Sequence, residues 1–401
     1  MTPATPNIEI STTPAIEVLL KFAAVHSPYY SQFEWAEKLR QGRDISFEEL
    51  PITTKTTVRA NAGSFFCEEI PASEGMVHDL STSGSTGEPM PIRKTDRHFQ
   101  MNERENQRLR SGWSLGEFRR VMICTSASSR HPAEMEQKSD KVGRMVWTVR
   151  TLNPSRIMEW FERLRPSLLQ GFPSTMVTVL ENIKDPGNLK MVATTGEIVT
   201  DEFHVAMQRL TGCKHHDSYG AKEVGLIASQ CLTCSNYHVA DRHMIVEILD
   251  DEGKPVPRGS MGRVVITPLY NLAMPLIRYE IGDYAMVSGD NACARSSVSL
   301  GKIIGRERNL FTLPNGTRIT PHFPNSMTRA LGLSKVKLVQ LNRRDVEIRY
   351  IPLSPDTELG VEQAQAVIDI ILSPEMRAIP VRVESLPAVA SGKYLMHESL
   401  I

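Results

Sequence analysis

Short apolar runs alternate with helical stretches through the middle of this chain, from about residue 76 to residue 270. The runs Val121–Cys124 and Met191–Ala193 have the length and composition of buried strands. The stretches 98–110 and 174–184 have helical patterns. Alternation of this kind is typical of α/β proteins, in which helices cover a sheet, so we expect an α/β fold built in several layers.

The two ends of the chain differ from this middle part. Apolar residues at helical spacing over 15–40 predict a helical entry, and strand and turn patterns over 244–288 predict a β-rich subdomain. After Gly305 the pattern predicts a small α+β unit made of a strand (336–341), a strand (345–352), a helix (361–372) and a strand (380–386). We therefore expect a large N-terminal domain over residues 1–305 and a small, mobile C-terminal domain over residues 306–401.

The overall composition excludes several classes of protein. The chain has 401 residues, of which 41% are hydrophobic and 23% charged, and its 46 basic residues balance 46 acidic ones. A neutral chain lacks the basic face that nucleic-acid binding needs. The first residues form no signal peptide, and no apolar run reaches the length of a membrane span of about 18 residues. We expect a cytoplasmic protein that binds neither nucleic acid nor membrane.

The segment Ser81–Pro89 is rich in hydroxyl groups and glycine. Gly84 and Gly87 allow close backbone approach to an anion, and the five serine and threonine hydroxyls of the segment add hydrogen-bond donors. Such a loop either cradles phosphates or is a solvated turn. It lacks the Gly-Lys-Ser/Thr ending of the usual phosphate loop, so the NTPases that use that motif are not implied.

Further glycine-containing segments follow this loop in a fixed order, and each alone resembles an ordinary turn. They are Thr194–Glu197, Asp217–Glu223, Leu276–Asp283, Gly301–Arg306 and Leu386–Lys393. Together with the loop, their order and spacing resemble the adenylate-forming superfamily of acyl-CoA synthetases, aryl-acid activating enzymes and adenylation domains. The segments Ala24–Tyr30, Leu50–Lys55 and Gly87–Met90 resemble its phenylacetate-CoA ligase branch, although the wider superfamily has lysine at the position of Met90.

The resemblance implies a reaction in which a carboxylate attacks the α-phosphorus of ATP to give an acyl-adenylate and pyrophosphate. The loop would hold the β- and γ-phosphates through Thr82, Ser83, Gly84, Ser85, Thr86 and Gly87. Tyr219 would lie against adenine. The neighbouring nucleotide-binding positions would be Gly196, Glu197, Asp217, Ser218 and Gly220.

Three further side chains would complete the site that the resemblance implies. Asp283 would accept hydrogen bonds from the ribose hydroxyls, with Arg306 nearby. Glu223 would ligate Mg²⁺, a cation that prefers carboxylate and phosphate oxygens. Lys393 would bridge the attacking carboxylate and the α-phosphate as a compact cation.

Three positions depart from the superfamily pattern. Lys222 stands where a hydroxyl residue is usual, and Arg308 and Asn309 replace acidic residues near the expected hinge. These three positions support an alternative hypothesis, in which the chain is a catalytically weakened homologue that acts as a nucleotide-binding or regulatory protein.

Cys213, Cys231, Cys234 and His238 flank the Tyr219–Glu223 segment. Three thiolates and one imidazole suit a tetrahedral Zn²⁺, and with four protein ligands such a site is structural. The alternative is a set of reduced core cysteines beside a surface histidine. Some members of the phenylacetate-CoA ligase-like branch resemble this arrangement and carry a structural zinc.

The substrate expectations rest on the branch resemblance. It implies a small aromatic carboxylic acid, with Phe172 and His216 as pocket residues, although Phe172 could equally be an ordinary core phenylalanine. The motifs leave the acceptor open among coenzyme A, a carrier-protein thiol and an amine. They also leave the oligomeric state open, with a dimer as one option.

Overall fold

The computed structural model describes residues 14–82, 89–110, 118–126, 134–140, 143–289, 293, 296, 298–321, 323–386 and 396–401. Its helices are α1 (Pro14–His26), α2 (Glu34–Arg40), α3 (Lys55–Ala60), α4 (Ala62–Phe65), α5 (Asp96–Leu109), α6 (Pro154–Leu164), α7 (Pro173–Asn182), α8 (Asp201–Gln208), α9 (Asn325–Ala330) and α10 (Val361–Ile371). The strands before residue 200 are β1 (Thr53–Thr54), β2 (Val77–Ser81), β3 (Pro91–Thr95), β4 (Arg120–Cys124), β5 (Met135–Ser139), β6 (Met145–Val149), β7 (Leu168–Gly171) and β8 (Met191–Thr195). Those of the β-rich part are β9 (Lys214–Ala221), β10 (Gly225–Gln230), β11 (Tyr237–Val239), β12 (Met244–Leu249), β13 (Met261–Pro268), β14 (Tyr279–Val287) and β15 (Ser299–Arg306). The last strands are β16 (Phe311–Thr312), β17 (Arg318–Ile319), β18 (Leu333–Gln340), β19 (Asp345–Pro352), β20 (Arg377–Arg382) and β21 (His397–Ser399).

One large sheet organises the first three quarters of the chain. Its strand order is β12-β13-β14-β15-β11-β10-β9-β8-β7-β4-β6-β5, and β1 adds to β14. The neighbours from β6 through β4, β7 and β8 to β9 are parallel, whereas β9 to β11 and β12 to β15 are antiparallel. The α/β class with a β-rich part is therefore confirmed.

Helices pack on the parallel half because their apolar faces and the strands between them share one core. Phe161 of α6, Met176 of α7 and Phe203 of α8 are almost completely buried with Leu169 and Val192 of the sheet. Burial of large apolar side chains is the main stabilising term in such a layer. The site described below lies where this parallel half meets the antiparallel strands, at β8, β9 and β10.

The N-terminal helices are fixed to the antiparallel half by a buried tyrosine. Tyr30 follows α1, is 1% exposed, and its hydroxyl accepts a hydrogen bond from the backbone N–H of Ile277 at 2.9 Å. Its ring meets Phe65 edge to face, with 5.5 Å between ring centroids. The helical entry predicted over 15–40 consists of α1 and α2 and is part of the main core.

The end of the chain forms a separate four-stranded sheet in the order β20-β19-β18-β21. α10 covers it, and Val367 and Ile368 pack with Leu338, Ile348 and Tyr350 in a core of their own. The boundary predicted after residue 305 falls at the last residue of β15, and the division into domains stays a prediction. Among the described helices, none is both long and apolar enough to cross a membrane.

Candidate active site

Tyr219 of β9, Asp283 of β14 and Arg306 of β15 form a connected polar chain on one face of the large sheet, although β11 and β10 separate β15 from β9. The Tyr219 hydroxyl donates to Asp283 Oδ2 at 2.8 Å, and Arg306 Nε lies 3.0 Å from Asp283 Oδ1. Asp283 and Arg306 face each other across β14 and β15, so the strand register itself sets their pairing. The pKa of Tyr219 lies well above its ordinary value, chiefly because the side chain is buried and secondly because the Asp283 carboxylate is close. The phenol therefore stays a hydrogen-bond donor.

Glu223 lies in the turn between β9 and β10 and is almost completely buried. Its Oε1 lies 2.6 Å from Nζ of Lys55, the first residue of α3. Burial alone would raise the pKa of Glu223, but the Lys55 ammonium outweighs burial, so the pKa lies below its ordinary value. The carboxylate predicted to ligate Mg²⁺ is therefore ionised and already paired with a cation from the N-terminal segment.

Another lysine, which is buried, lies close to the same carboxylate. Lys94 of β3 is 4% exposed, and burial lowers its pKa to about 8, while the charge of Glu223 acts in the opposite direction. The neighbouring Lys222 is exposed and acts on Lys94 as a like charge. The sequence patterns indicated no role for Lys55 or Lys94. For Lys55, its place in the branch-like segment Leu50–Lys55 could have indicated one.

The phosphate-loop candidate is closed at its base by paired backbone groups. Ser81 of β2 pairs with Pro91 of β3, and beyond them the backbone N–H of Thr82 donates to Met90 O at 2.9 Å. The Thr82 hydroxyl accepts from the Met90 N–H at 3.0 Å, so this side chain fixes the base of the loop. Ser83, Gly84, Ser85, Thr86 and Gly87 lie outside the described residues, as does Lys393.

The carboxylate and the backbone N–H of Asp217 are both hydrogen-bonded to residues of the strands around it. Its carboxylate accepts hydrogen bonds from Thr194 Oγ1 at 2.6 Å and from the Tyr237 hydroxyl at 2.8 Å, and its backbone N–H donates to Gln230 Oε1 at 3.1 Å. Burial raises the pKa of Asp217 to about 6, and the bonds from Thr194 and Tyr237 counteract part of that rise. Tyr237 and Gln230 were not foreseen from the sequence.

The segment after β8 turns sharply beside this network. Gly196 has φ +81°, a conformation that favours glycine. Glu197 Oε2 accepts a hydrogen bond from the backbone N–H of Ser174 at 3.0 Å, at the first turn of α7. A carboxylate suits the positive end of a helix, so Glu197 has a structural contact of its own here.

The opposite face of β9 is polar and buried. His216 is completely buried, with Nε2 3.1 Å from Ser218 Oγ and 3.2 Å from Ser229 Oγ, and burial lowers its pKa well below the ordinary value. Arg110, directly after α5, donates from Nη2 to Ser218 Oγ at 3.2 Å. This face therefore combines a neutral imidazole, two hydroxyls and a guanidinium.

Two other predicted positions have clear local roles. Gly220 leaves no room for a side chain, because a Cβ there would lie 2.7 Å from the carbonyl oxygen of Gly225. Phe172 is half-buried at the N-cap of α7, directly before Pro173. Its role as a pocket wall stays a prediction.

Four potential metal ligands meet at the end of the β10–β11 hairpin: Cys231, Cys234, His238 and Cys293. Their ligand atoms lie within 4.8 Å of one another, and Cys234 Sγ is 3.5 Å from His238 Nε2. This corrects the predicted ligand set, because Cys293 takes the place given to Cys213. Cys213 instead packs against the core under α8, where burial raises the pKa of its thiol to about 11.

The donor set fits Zn²⁺. Ligand atoms about 3.8 Å apart are what tetrahedral zinc with sulfur ligands requires, and the four atoms need little movement to reach that spacing. His238 Nδ1 lies 3.1 Å from the hydroxyl oxygens of Ser296 and Ser299, which leaves Nε2 to face the thiols. Burial opposes ionisation of the Cys231 thiol, but the backbone N–H groups of Cys234 and Thr233 outweigh it and lower its pKa, which favours the thiolate.

Comparison with known proteins identifies the family. The sequence profile of the AMP-binding enzyme family matches residues 68–270. The phenylacetate-coenzyme A ligase of Thermus thermophilus is 25% identical over 290 residues, which cover 68% of this chain and 63% of that protein. That of Aromatoleum evansii is 28% identical over 193 residues, which cover 46% of this chain and 43% of its own length. The chain belongs to the AMP-binding enzyme family, in the phenylacetate-CoA ligase-like branch of the adenylate-forming superfamily.

Solved structures show the same fold. A 2-hydroxyisobutyryl-CoA ligase, in the postadenylation state with an acyl-adenylate, superposes with a TM-score of 0.67 at 18% identity, covering 96% of this chain and 88% of that one. An amide bond synthetase from Marinactinospora thermotolerans gives a TM-score of 0.56 at 17% identity, covering 79% and 66%. The matches to curated relatives span about three fifths of their length or less.

Proposed function

We propose that this chain activates a small aromatic carboxylic acid with ATP. A carboxylate oxygen attacks the α-phosphorus, the bond to the β-phosphate oxygen breaks, and acyl-AMP and pyrophosphate form. The thiol of coenzyme A or of a carrier protein, or an amine, then attacks the acyl carbon and releases AMP. No side chain has to remove a proton in the first step, because a carboxylic acid is already ionised at neutral pH.

The connected Tyr219, Asp283 and Arg306 side chains are the observation that carries this proposal. The Tyr219 ring, which would lie against the base, and the Asp283 carboxylate, which would bind the ribose hydroxyls, are joined by a 2.8 Å hydrogen bond, and Tyr219 falls within the family-matched residues 68–270. Glu223 lies in the turn directly after β9, the strand that carries Tyr219, and would hold Mg²⁺ against the phosphates. The bound ion would neutralise phosphate charge, and Lys55 would then be free to contact a phosphate.

The names of the relatives support the choice of substrate and acceptor. The curated matches are phenylacetate-coenzyme A ligases, which favours an aromatic acid and coenzyme A. A structural neighbour is an amide bond synthetase, so an amine stays an acceptor to be tested. Zn²⁺ at Cys231, Cys234, His238 and Cys293 would brace the fold without touching the reacting atoms.

Exchange of labelled pyrophosphate into ATP, dependent on an added acid, tests the proposal. We expect exchange with aryl acids, and we expect Lys393→Ala to reduce it about 100-fold or more while ATP binding persists, because its charge acts on the transition state. Lys335→Ala, in the same C-terminal part, is the matched control and should retain exchange. No exchange with a broad panel of aryl and alkyl acids would instead favour a catalytically weakened, nucleotide-binding homologue.

A further inference from the structure

The β10–β11 hairpin joins the cysteine and histidine cluster to the nucleotide side of the sheet. The two strands are antiparallel, and their last pair before the loop is Gln230 with Tyr237. Cys231 directly follows Gln230, and His238 directly follows Tyr237. The pair that closes the hairpin is thus flanked by two of the four potential metal ligands.

Both members of this closing pair contact Asp217. The backbone pairing of β9 with β10 ends at Ser218 and Ser229, and at the next position the Gln230 side chain accepts the Asp217 N–H at 3.1 Å. The Tyr237 hydroxyl donates to Asp217 Oδ2 at 2.8 Å. One residue pair therefore fixes both the backbone and the carboxylate of Asp217.

The loop between these strands is held by a few described hydrogen bonds, one of which joins Asn236 Nδ2 to Ser288 Oγ at 2.9 Å. Its described backbone bonds are Cys231 N–H to Asn236 O at 2.8 Å and Ser235 N–H to Cys231 O at 3.0 Å, and Ser235 has a left-handed φ of +62°. Cys293 comes from the segment between β14 and β15, and β15 pairs with β11. A metal ion on the four ligands would therefore strengthen the link between the hairpin end and this distant part of the chain, and would restrict the motion of the hairpin further.

We propose that Gln230 and Tyr237 are positioning residues through which a metal ion on Cys231, Cys234, His238 and Cys293 orders Asp217 and so strengthens binding of the nucleotide base. The inference rests on the proposed function in one respect, the place of Asp217 beside the base. It gives the metal a defined effect on the site, beyond general stabilisation of the fold. The described hydrogen bonds of Asp217 to the hairpin lead to Gln230 and Tyr237, so the effect passes through the closing pair.

Calorimetric ATP binding to the full chain tests the coupling, with zinc-loaded and chelator-treated protein compared for each variant. Tyr237→Phe removes one hydroxyl and keeps the buried ring. We expect it to retain zinc and to weaken ATP binding about tenfold, the effect of losing one hydrogen bond to a charged group. Removing zinc should weaken binding in the wild type and weaken it less in Tyr237→Phe, because that variant has already lost one of the two contacts through which the metal acts. Tyr350→Phe is the matched control, since it removes a 2.7 Å bond from a buried tyrosine to Glu358 in the C-terminal sheet, and it should bind like the wild type.

Amide hydrogen exchange supplies a readout that does not need ATP. The Asp217 N–H should exchange slowly in zinc-loaded protein and at least tenfold faster after zinc removal or in Gln230→Ala. If zinc removal weakens ATP binding equally in the wild type and in Tyr237→Phe, or leaves exchange at Asp217 unchanged, the coupling is wrong; a chain that binds no zinc overturns it as well. If ATP fails to bind the wild type while the exchange effect appears, the ordering of Asp217 by the metal stands, and the proposed function fails together with the effect on base binding.

Discussion

Nζ of Lys55 lies 2.6 Å from Oε1 of Glu223, and the two side chains are only 22% and 4% exposed. Thr54 caps α3 by accepting a hydrogen bond from the Thr57 N–H at 3.1 Å. The capped helix start fixes the position of the Lys55 backbone. The pair joins the N-terminal segment to the turn that carries the candidate magnesium ligand. Because a buried carboxylate needs a partner, Lys55 supplies the positive charge that Mg²⁺ would bring.

Lys55→Met should destabilise the protein and strengthen metal binding at the same time. Removing the ammonium that is hydrogen-bonded to the buried Glu223 carboxylate should lower the free energy of unfolding by about 3 kcal/mol. The freed carboxylate should bind Mg²⁺ roughly tenfold more tightly, because a competing positive charge is gone. Denaturant unfolding and magnesium titration of the nucleotide-free protein measure the two effects.

Lys21→Met provides the control for this variant. Lys21 makes a pair of the same kind with Glu17 at 2.5 Å, but about 60% of each side chain is exposed. Exposed pairs contribute little, so both measurements should match the wild type. Unchanged unfolding in Lys55→Met would show that Glu223 finds another partner.

The corrected ligand set is tested by two cysteine variants. Cys293→Ser should lower the zinc content of protein purified without chelator, because a hydroxyl is a poor replacement for a thiolate on zinc. Cys213→Ser should keep the wild-type zinc content, since Cys213 packs in another core. The opposite pattern in elemental analysis would restore Cys213 to the site.

The metal cluster shows what a single sequence can and cannot provide. The local pattern of Cys231, Cys234 and His238 predicted a ligand group, and the structure brings these three together. The fourth ligand depends on pairing between β11 and β15, a contact between distant parts of the chain that no local pattern records. Cys213 looked suitable only because it is near in sequence.

The fold was predictable to a similar depth. Period and composition located β19 (Asp345–Pro352) and α10 (Val361–Ile371) closely, because a strand and a helix with clear apolar faces keep their pattern. The strand expected over 380–386 instead begins at Arg377, since parallel pairing with β19 sets its ends. The Lys55 and Glu223 pair, like that of Tyr237 and Asp217, joins distant segments and was not predictable from spacing.

Asp283→Asn should weaken ATP binding and reduce discrimination against nucleotides that lack ribose hydroxyls. The Asp283 carboxylate accepts a hydrogen bond from the Tyr219 hydroxyl and pairs with Arg306. In asparagine, an NH₂ donor would replace one of the two acceptor oxygens. We expect ATP affinity to fall by about tenfold to a hundredfold, the effect of losing one or two hydrogen bonds to a charged group. The affinity for 2′,3′-dideoxy-ATP should fall much less. An equal loss for both nucleotides in calorimetry would remove Asp283 from the ribose site.

The raised pKa of Asp217 predicts that the stability of the protein depends on pH. Its carboxyl has a pKa of about 6 in the folded protein against an ordinary value of 3.8, so the folded state holds the proton more tightly than the unfolded chain. The stability contributed by this group is therefore fully present below about pH 4 and is lost as the pH rises to about 6. Asp217→Asn should remove this pH dependence. Between about pH 4 and about pH 6 the wild type should lose about 3 kcal/mol of unfolding free energy that the variant does not lose.

The same group predicts how base binding depends on pH. An ionised Asp217 accepts the hydrogen bonds of Thr194 and Tyr237 and retains acceptor capacity for the amino group of adenine. Below about pH 6 the proton occupies one oxygen, so adenosine, which has no phosphate to titrate there, should bind more weakly as the pH falls. Tyr237→Phe removes a bond that favours the ionised form, and the midpoint should therefore move to higher pH. A titration of adenosine affinity from pH 5 to 8 that is flat in the wild type would show that the Asp217 carboxylate does not contact the base.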